Sequence, residues 1–201
     1  MTAYRIKQID TVYEGWRKLL KLTVQMPDGR AMIREVLNSG DAAAVLPYDL
    51  ERRKVILVRQ FRAPVMHREG HPDFLEAVAG LLDGDEPDAC ARRETMEEAG
   101  IRVERLEPLG HFWSAPGVTT ERVHLFLAPY TQADRVAAGG GLADEHEEIE
   151  VLEVGFDDLA SLLADNTIAD MKTAILVQAL QLKHRRPFSR DAARASAGGP
   201  R

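Results

Sequence analysis

Cysteine and long apolar runs are scarce in this sequence. Its 201 residues include one cysteine, Cys90, which excludes an internal disulfide and a zinc site built from several thiolates. This favours a reducing compartment. No apolar run approaches the roughly 20 residues that span a bilayer, and the start MTAYRIKQID has no apolar core of a signal peptide. We therefore expect a cytoplasmic protein with no membrane partner.

Positive charge is also scarce. The chain has 26 lysines and arginines against 32 aspartates and glutamates, a formal net charge of −6. Without a general basic field, nucleic acid is not an expected partner, and any phosphate ligand must be bound by local groups. Hydrophobic residues at 45% and charged residues at 29% are typical of a soluble globular protein of about one domain.

Turn residues and apolar patterns predict an irregular alternation of strands and helices. Residues 17–37 predict an antiparallel hairpin around Pro27-Asp28-Gly29. The further predicted elements are, in chain order, strands in AAAVLPYD and VILVRQF, a helix over 87–99, strands over 107–113 and 121–128, a strand in IEVLEV and a helical region over 156–185. This order predicts an α/β (α+β) protein with a mixed sheet flanked by helices.

We predict three parts along the chain. Residues 1–40 form an N-terminal β-hairpin arm, residues 41–184 form the main domain, and residues 185–201 have too little apolar content to bury and form a disordered tail.

Three carboxylates on the helix over 87–99 carry the chemical signal. Glu97 and Glu98 follow Glu94 by three and four residues, so all three project from one side of the helix. Ala89, Met96 and Ala99 fall on another side, which can pack. Like charges this close repel by about 1 kcal/mol per pair at 4 Å in water and about 4 kcal/mol near a protein surface. Two interpretations compete: a solvated helix face neutralised by Arg92 and Arg93, and a site for a hard cation such as magnesium.

The surrounding sequence decides between them. Residues 80–101, GLLDGDEPDACARRETMEEAGI, resemble the signature Gx5Ex7REUxEExGU of the Nudix hydrolases, where U is a bulky aliphatic residue. Three departures occur: Thr95 takes the first aliphatic position, Asp85 replaces the upstream glutamate, and four residues rather than five separate Gly80 from Asp85. Every helix carboxylate is retained. Asp85 is therefore expected to fix the loop rather than bind metal, and the resemblance implies the Nudix fold.

Over about residues 10–184 the chain resembles the GDP-mannose pyrophosphatase branch, which is related to the ADP-ribose pyrophosphatases. The likeness includes VILVRQFR, SAPGVTTE and GGGLADEHEEIEVLEV. It implies that magnesium, with manganese as the alternative ion, is bound by the Ala79 carbonyl and by Glu94, Glu98 and Glu147. Glu97 would assist, and Glu145 is the candidate for ordering or deprotonating water. The plain alternative is that the acidic loop is only solvated.

The resemblance also implies the substrate contacts. Arg62 follows a strand and would contact the ligand, with Glu121 and Lys172 nearby and Gly80 beside the diphosphate. The hairpin arm would reach a second subunit of a homodimer and carry Trp16, Arg34 and Glu35 to its site; Trp16 stands where relatives use a tyrosine. Salt bridging and ordinary packing remain the alternatives for each of these residues.

The expected function is hydrolysis of the diphosphate of a nucleoside diphosphate sugar, with GDP-mannose giving GMP and mannose 1-phosphate as first choice. ADP-ribose or another ADP-sugar is the alternative within the enzyme class. A domain that senses nucleotide sugars without cutting them is the distant alternative, since such a domain would have lost helix glutamates.

Two remaining features are assigned simple roles. His67 and His71 are four residues apart in a segment with proline and glycine, which predicts a loop rather than a helical zinc site. The run Gly139-Gly140-Gly141 lacks the following Lys-Ser/Thr of a P-loop and is expected to let the acidic loop move over the site.

Overall fold

A computed structural model describes residues 3–71, 73–142 and 148–184. The strands are β1 Arg5–Glu14, β2 Lys18–Gln25, β3 Ala31–Asn38, β4 Ala42–Asp49, β5 Lys54–Phe61, β6 Asp73–Glu76, β7 Val78–Leu81, β8 Glu107–Trp113, β9 Arg122–Pro129 and β10 Glu150–Gly155. The helices are α1 Ala63–Glu69, α2 Pro87–Ala99, α3 Phe156–Ala164 and α4 Met171–Lys183.

The first three strands form a separate antiparallel sheet, the arm sheet, in the order β1-β2-β3. Strands β2 and β3 are the predicted hairpin. Asp28 shapes its turn by accepting a hydrogen bond from the Arg30 backbone amide at 3.0 Å, and Gly29 has a positive φ of 88° that suits glycine. Strand β1 is a third strand that extends the predicted two-stranded arm.

One face of the arm sheet is apolar and unpartnered among the described residues. Strand register brings together on this face Ile6, Ile9, Thr11, Leu20, Leu22, Val24, Met32, Arg34 and Val36. Ile6 and Ile9 remain 58% and 59% exposed. The opposite face carries charged residues, Lys21 and Glu35 among them, so the two faces differ in chemistry.

The main sheet has seven strands among the described residues. Five run in the order β10-β5-β4-β9-β8, while β6 pairs with β5 and β7 pairs with β4. The β4·β9 pair is parallel and the others are antiparallel, so the sheet is mixed as predicted. Every residue of β4 is buried, which fits a central strand covered on both faces.

Two apolar cores lie on opposite faces of this sheet. One joins alternate residues of β4, β5 and β9 to α3 and α4, through Leu46, Leu57, Leu125, Leu159 and Leu176. The other joins the intervening residues to α2, through Ala43, Val58, Ala91, Ala99 and Phe126. The sheet is therefore sandwiched between helices, which confirms the predicted fold class. No described helix has the length and apolar character that crossing a bilayer requires.

The predicted helical region over 156–185 is two helices rather than one. Helix α3 ends before Asp165 and Asn166, and Asn166 has a positive φ of 62° that breaks the helix. Helix α4 restarts where the Asp170 carboxylate accepts a hydrogen bond from the Thr173 amide at 3.0 Å.

His67 lies in a helix, so the prediction of a loop around it was wrong. Helix α1 has proline in its first turn and ends at Gly70, whose φ of 79° forms a left-handed C-cap. Because α1 buries none of its residues, its sequence has no apolar stripe to reveal it. His71 follows the cap.

Candidate active site

Helix α2 is fixed by its ends and by one buried side. Pro87 begins it, and Gly100, at a φ of 68°, ends it by donating its amide to the Met96 carbonyl at 3.0 Å. The buried residues are Cys90, Ala91, Thr95, Glu98 and Ala99. Met96, predicted to pack, is 37% exposed, because the buried side is centred on Ala91 and Thr95.

Thr95 shows why an aliphatic residue is dispensable at its position. It is fully buried, and its hydroxyl donates to the Ala91 carbonyl at 2.7 Å, one turn earlier in the helix. A buried hydroxyl that is hydrogen-bonded carries little desolvation cost. The departure from the signature therefore leaves the packing of α2 on the sheet intact.

The carboxylates of α2 converge on strand β7. Glu98 is 2% exposed, and its Oε2 accepts a hydrogen bond from the Ala79 amide at 3.1 Å. An extended residue points its N–H and C=O to the same side of the strand, so the Ala79 carbonyl also faces Glu98. Next to it, a Cβ built on Gly80 would overlap the Glu94 carboxylate. A side chain at this position would displace the Glu94 carboxylate, which lies against the backbone.

Arg93 relieves the repulsion between these carboxylates. One of its nitrogens, Nη1, lies 2.7 Å from Glu94 and 3.1 Å from Glu97, while Nε lies 3.1 Å from Asp85. Burial opposes the charge, but these neighbours raise the pKa of Arg93 above its ordinary value. Asp85 thus fixes the loop through Arg93. Arg92, expected to share this role, instead donates to the carbonyls of Val103 and Glu104.

A second ionic cluster centres on Glu76 at the end of β6, a residue not among the predicted site residues. Glu76 is 1% exposed; its two oxygens accept from Arg62 Nε at 2.6 Å and from Lys172 Nζ at 2.5 Å. Lys172 also lies 3.0 Å from Asp170. The structure thus brings Arg62 and Lys172 together. The sequence offers one signal for Glu76, which is a charged residue inside the apolar segment DFLEAV.

Burial and countercharge act in opposite directions on the two cations of this cluster. Burial favours a neutral Lys172, yet Glu76 and Asp170 raise the pKa of Lys172 above its ordinary value. Burial acts likewise on Arg62, but Glu76 and Glu98 raise its pKa. Both stay charged. Glu98 of α2 is thus among the charges that act on Arg62.

The glycine run anchors the acidic loop to α2. The Gly140 amide donates to the Glu98 carbonyl at 2.9 Å, and the Ile149 amide donates to the Gly140 carbonyl at 3.2 Å. A Cβ on Gly139 would overlap the Glu98 carbonyl. These glycines therefore allow close backbone approach, and the expected movement of the acidic loop stays a prediction. Glu145 and Glu147 lie outside the described residues.

Comparison with known proteins identifies the family. The family model of the Nudix domain matches residues 38–175. A GDP-mannose pyrophosphatase of Cronobacter sakazakii is 46% identical over 152 residues, 75% of this chain and 78% of that protein. Another, of Klebsiella pneumoniae, is 42% identical over 173 residues, 84% and 86% of the two chains. The chain belongs to the Nudix family. The resemblance found in the sequence is thereby confirmed.

A solved structure supports the Nudix fold. The crystal structure of an ADP compounds hydrolase superposes with a TM-score of 0.72, covering 90% of this chain and 94% of that one, at 18% sequence identity. At this identity the likeness concerns the fold alone.

The remaining predicted residues of the Nudix site lie on other elements than α2. Glu121 precedes β9 and is held by its amide, which donates to the Thr119 hydroxyl at 3.1 Å. Trp16 is 87% exposed between β1 and β2, with the Arg17 guanidinium 4.4 Å from its ring centroid. Arg34 and Glu35 lie on opposite faces of the arm sheet.

The described part of the Nudix site offers oxygen donors for a metal ion but no full set of ligands. Across residues 3–71, 73–142 and 148–184, no three histidine, cysteine, aspartate or glutamate side chains are arranged to hold a metal ion. Glu94 and Glu98 with the Ala79 carbonyl supply oxygen donors, which suit magnesium. Cys90 takes no part: it is fully buried, and burial raises the pKa of its thiol to about 11.

Proposed function

We propose that this chain hydrolyses the diphosphate bond of a nucleoside diphosphate sugar, with GDP-mannose giving GMP and mannose 1-phosphate. The chain is a Nudix pyrophosphatase. The observation that carries the proposal is the convergence of Glu94 and Glu98 on Ala79 and Gly80, the point where β7 meets α2. The names of the relatives supply the choice of substrate.

Magnesium, with manganese as a substitute, is the proposed cofactor. Glu94, Glu98, the Ala79 carbonyl and Glu147 would hold it, and it would neutralise the diphosphate and lower the pKa of a bound water. The choice of Glu147 is supported by Ile149, whose amide is hydrogen-bonded to Gly140, which is itself bonded to the Glu98 carbonyl. Two residues of extended chain span at most about 7 Å.

The proton of the attacking water needs an acceptor close to the metal. Glu97 is the most exposed of the three α2 carboxylates, with 26% of its side chain accessible, so it can orient water from the rim. Glu145 in the acidic loop is the second candidate, and we propose that one of the two accepts this proton.

Arg62, Lys172 and Glu121 are the proposed substrate contacts, with Gly80 leaving room beside the diphosphate. Within the Glu76 cluster, the charges of Arg62 and Lys172 are balanced by Glu76 and Asp170. A substrate diphosphate would therefore meet a neutral but polar cluster, and metal must supply most of the positive charge.

We also propose a homodimer formed through the arm. The apolar face of the arm sheet is exposed, and a second copy would cover it. Trp16, Arg34 and Glu35 would then contact the substrate in the site of the partner subunit. In this arrangement residues 1–40 act as the dimer arm, residues 41–184 as the Nudix hydrolase domain and residues 185–201 as a tail. A cytoplasmic location fits the free buried thiol of Cys90.

The test is a panel of nucleotide sugars, including GDP-mannose and ADP-ribose, incubated with magnesium and resolved by phosphorus NMR. We expect GMP and mannose 1-phosphate from GDP-mannose. E98Q should lose about 100-fold or more in rate, because the buried carboxylate that holds the metal becomes neutral, while E104Q, at an exposed residue outside the site, should retain activity. Faster cleavage of ADP-ribose would contradict the substrate choice, and tight binding measured by calorimetry without any product would contradict catalysis.

A further inference from the structure

Two histidines outside the carboxylate site face each other across neighbouring strands. His111 on β8 and His124 on β9 are directly opposite in the antiparallel register. Their ring centroids are 5.3 Å apart, and the ring planes are inclined by 41°. His111 is exposed on the edge strand, whereas His124 is half-buried. No step of the proposed hydrolysis uses either residue.

The spacing of the rings fits a shared metal ion. A tetrahedral zinc ion lies about 2.0–2.1 Å from each histidine nitrogen, and such an ion held by one nitrogen of each ring places the centroids about 5 Å apart. The observed separation of the two centroids, 5.3 Å, is close to this distance. Opposed strands of one sheet are rigidly spaced, so little ordering of the two side chains would be needed.

The charges around the pair do not oppose a cation. Arg122 is a positive group that acts on His124, and its guanidinium lies 2.6 Å from Asp41, which balances it.

We propose that His111 and His124 form a second metal site, distinct from the carboxylate site, for a borderline divalent transition cation such as Zn2+ or Ni2+. Two imidazoles supply half of a tetrahedral shell, and water completes it. The choice of cation follows from the donors, since imidazole suits zinc and nickel and carboxylate oxygen suits magnesium.

The site lies on the active side of the sheet. His111, His124, Ala43 and Gly80 form one row across β8, β9, β4 and β7. Residues in one row point to the same face, and Ala43 packs in the core beneath α2. At a strand spacing of about 4.8 Å, His124 lies roughly 10 Å from Gly80. A cation here would sit near the carboxylate site without sharing its ligands.

The test is a Zn2+ titration in competition with a chromophoric chelator, in an excess of Mg2+ that occupies the carboxylate site. We expect one Zn2+ per chain, and a loss of affinity of about 10-fold or more in both H111Q and H124Q. The matched control is H67Q on α1, which should bind Zn2+ like the unmodified protein. Because His111 is exposed, H111Q should keep the native circular dichroism spectrum.

Equal Zn2+ affinity in H111Q and the unmodified protein would overturn the proposal, as would an equal loss in H67Q. The readout is metal binding rather than turnover. Inactivity towards GDP-mannose would therefore contradict the proposed function and leave the histidine site standing.

Discussion

Gly80 shows how one missing side chain defines the carboxylate site. A Cβ at this position would overlap the Glu94 carboxylate, and the neighbouring Ala79 amide is bonded to Glu98. In G80A, either Glu94 rotates away or β7 shifts. Since a displacement of about 1 Å can cost roughly 100-fold in rate, we expect a loss of that order in kcat/KM with GDP-mannose, at unchanged Tm.

The control for G80A is G117A. A Cβ on Gly117 would meet nothing within 4 Å, and no positive φ constrains this glycine. G117A should therefore have the kcat/KM of the unmodified enzyme. If G80A were fully active while retaining its magnesium requirement, Glu94 would not be held in the position that binds metal.

At the scale of elements, the sequence predicts those parts whose local signals agree with their surroundings. Helix α2 has proline at its start, glycine after its end and a spacing of carboxylates that serves its site, so its bounds of 87–99 were predicted correctly. Strands β8 and β9 were likewise placed within one residue. For α2 the signal lies at the helix ends rather than in an apolar period, since Met96, predicted to pack, is exposed.

Strand β1 and helix α1 were not predicted, because neither has a regular apolar pattern in its sequence. Strand β1 contains two register shifts, between Ile6 and Gln8 and between Thr11 and Tyr13, which disrupt its alternation. Helix α1 buries no residue and so has no apolar stripe. A charge within an apolar segment does not by itself mark Glu76 as a site residue, because its partners, Arg62 and Lys172, are 14 and 96 positions away. Contacts over such separations depend on the assembled sheet.

The Glu76 cluster ties β6 to α4 and to the segment before α1, so it should contribute to stability. In E76Q, Arg62 and Lys172 lose their shared countercharge at a site where the carboxylate was 1% exposed. We expect a decrease of about 3 kcal/mol in the free energy of unfolding, measured by urea denaturation at pH 7.

A second substitution separates charge from packing in this cluster. The double variant E76Q/K172M also removes the Lys172 ammonium, which E76Q leaves buried without the Glu76 countercharge. It should therefore recover part of the stability lost in E76Q. A double variant that is less stable by the sum of the two single losses would contradict the assignment of Lys172 to Glu76.

Acid stability should depend on Glu107, which joins β8 to β4 and α4. Its Oε2 accepts from Lys183 at 2.6 Å and from the Tyr48 hydroxyl at 3.1 Å. Burial would raise the pKa of Glu107, but Lys183, Tyr48 and Arg105 lower it below the ordinary value of 4.5. A lowered carboxylate pKa adds stability above the pKa of the unfolded chain, and that stability is lost as the pH falls through the folded pKa.

E107Q should therefore be less stable by about 2 kcal/mol at pH 7, the value typical of hydrogen bonds to a charged group. The difference from the unmodified protein should narrow as the pH falls below 4.5. Urea denaturation at a series of pH values measures it, with E104Q as the exposed control. A difference that stays constant down to acid pH would show that packing, not charge, is what Glu107 contributes.

At the scale of the whole molecule, the arm sheet has an apolar face that the described residues leave partly exposed. Ile9 lies on this face at 59% exposure, in register with Leu22. If a second copy covers the face, light scattering during size exclusion should give a mass of twice 22.4 kDa. I9E places a charge in that interface and should yield monomer, since an unpaired buried charge costs several kcal/mol.

The control for I9E is Q8E, which puts the same charge on the adjacent residue and on the other face of the arm sheet. Q8E should remain dimeric. Because Trp16, Arg34 and Glu35 are proposed to act in the partner's site, monomeric I9E should also show a raised KM for GDP-mannose. The substitution leaves the proposed metal ligands of α2 unchanged. A monomeric unmodified protein, or I9E that stays dimeric, would show that the apolar face of the arm serves some other contact.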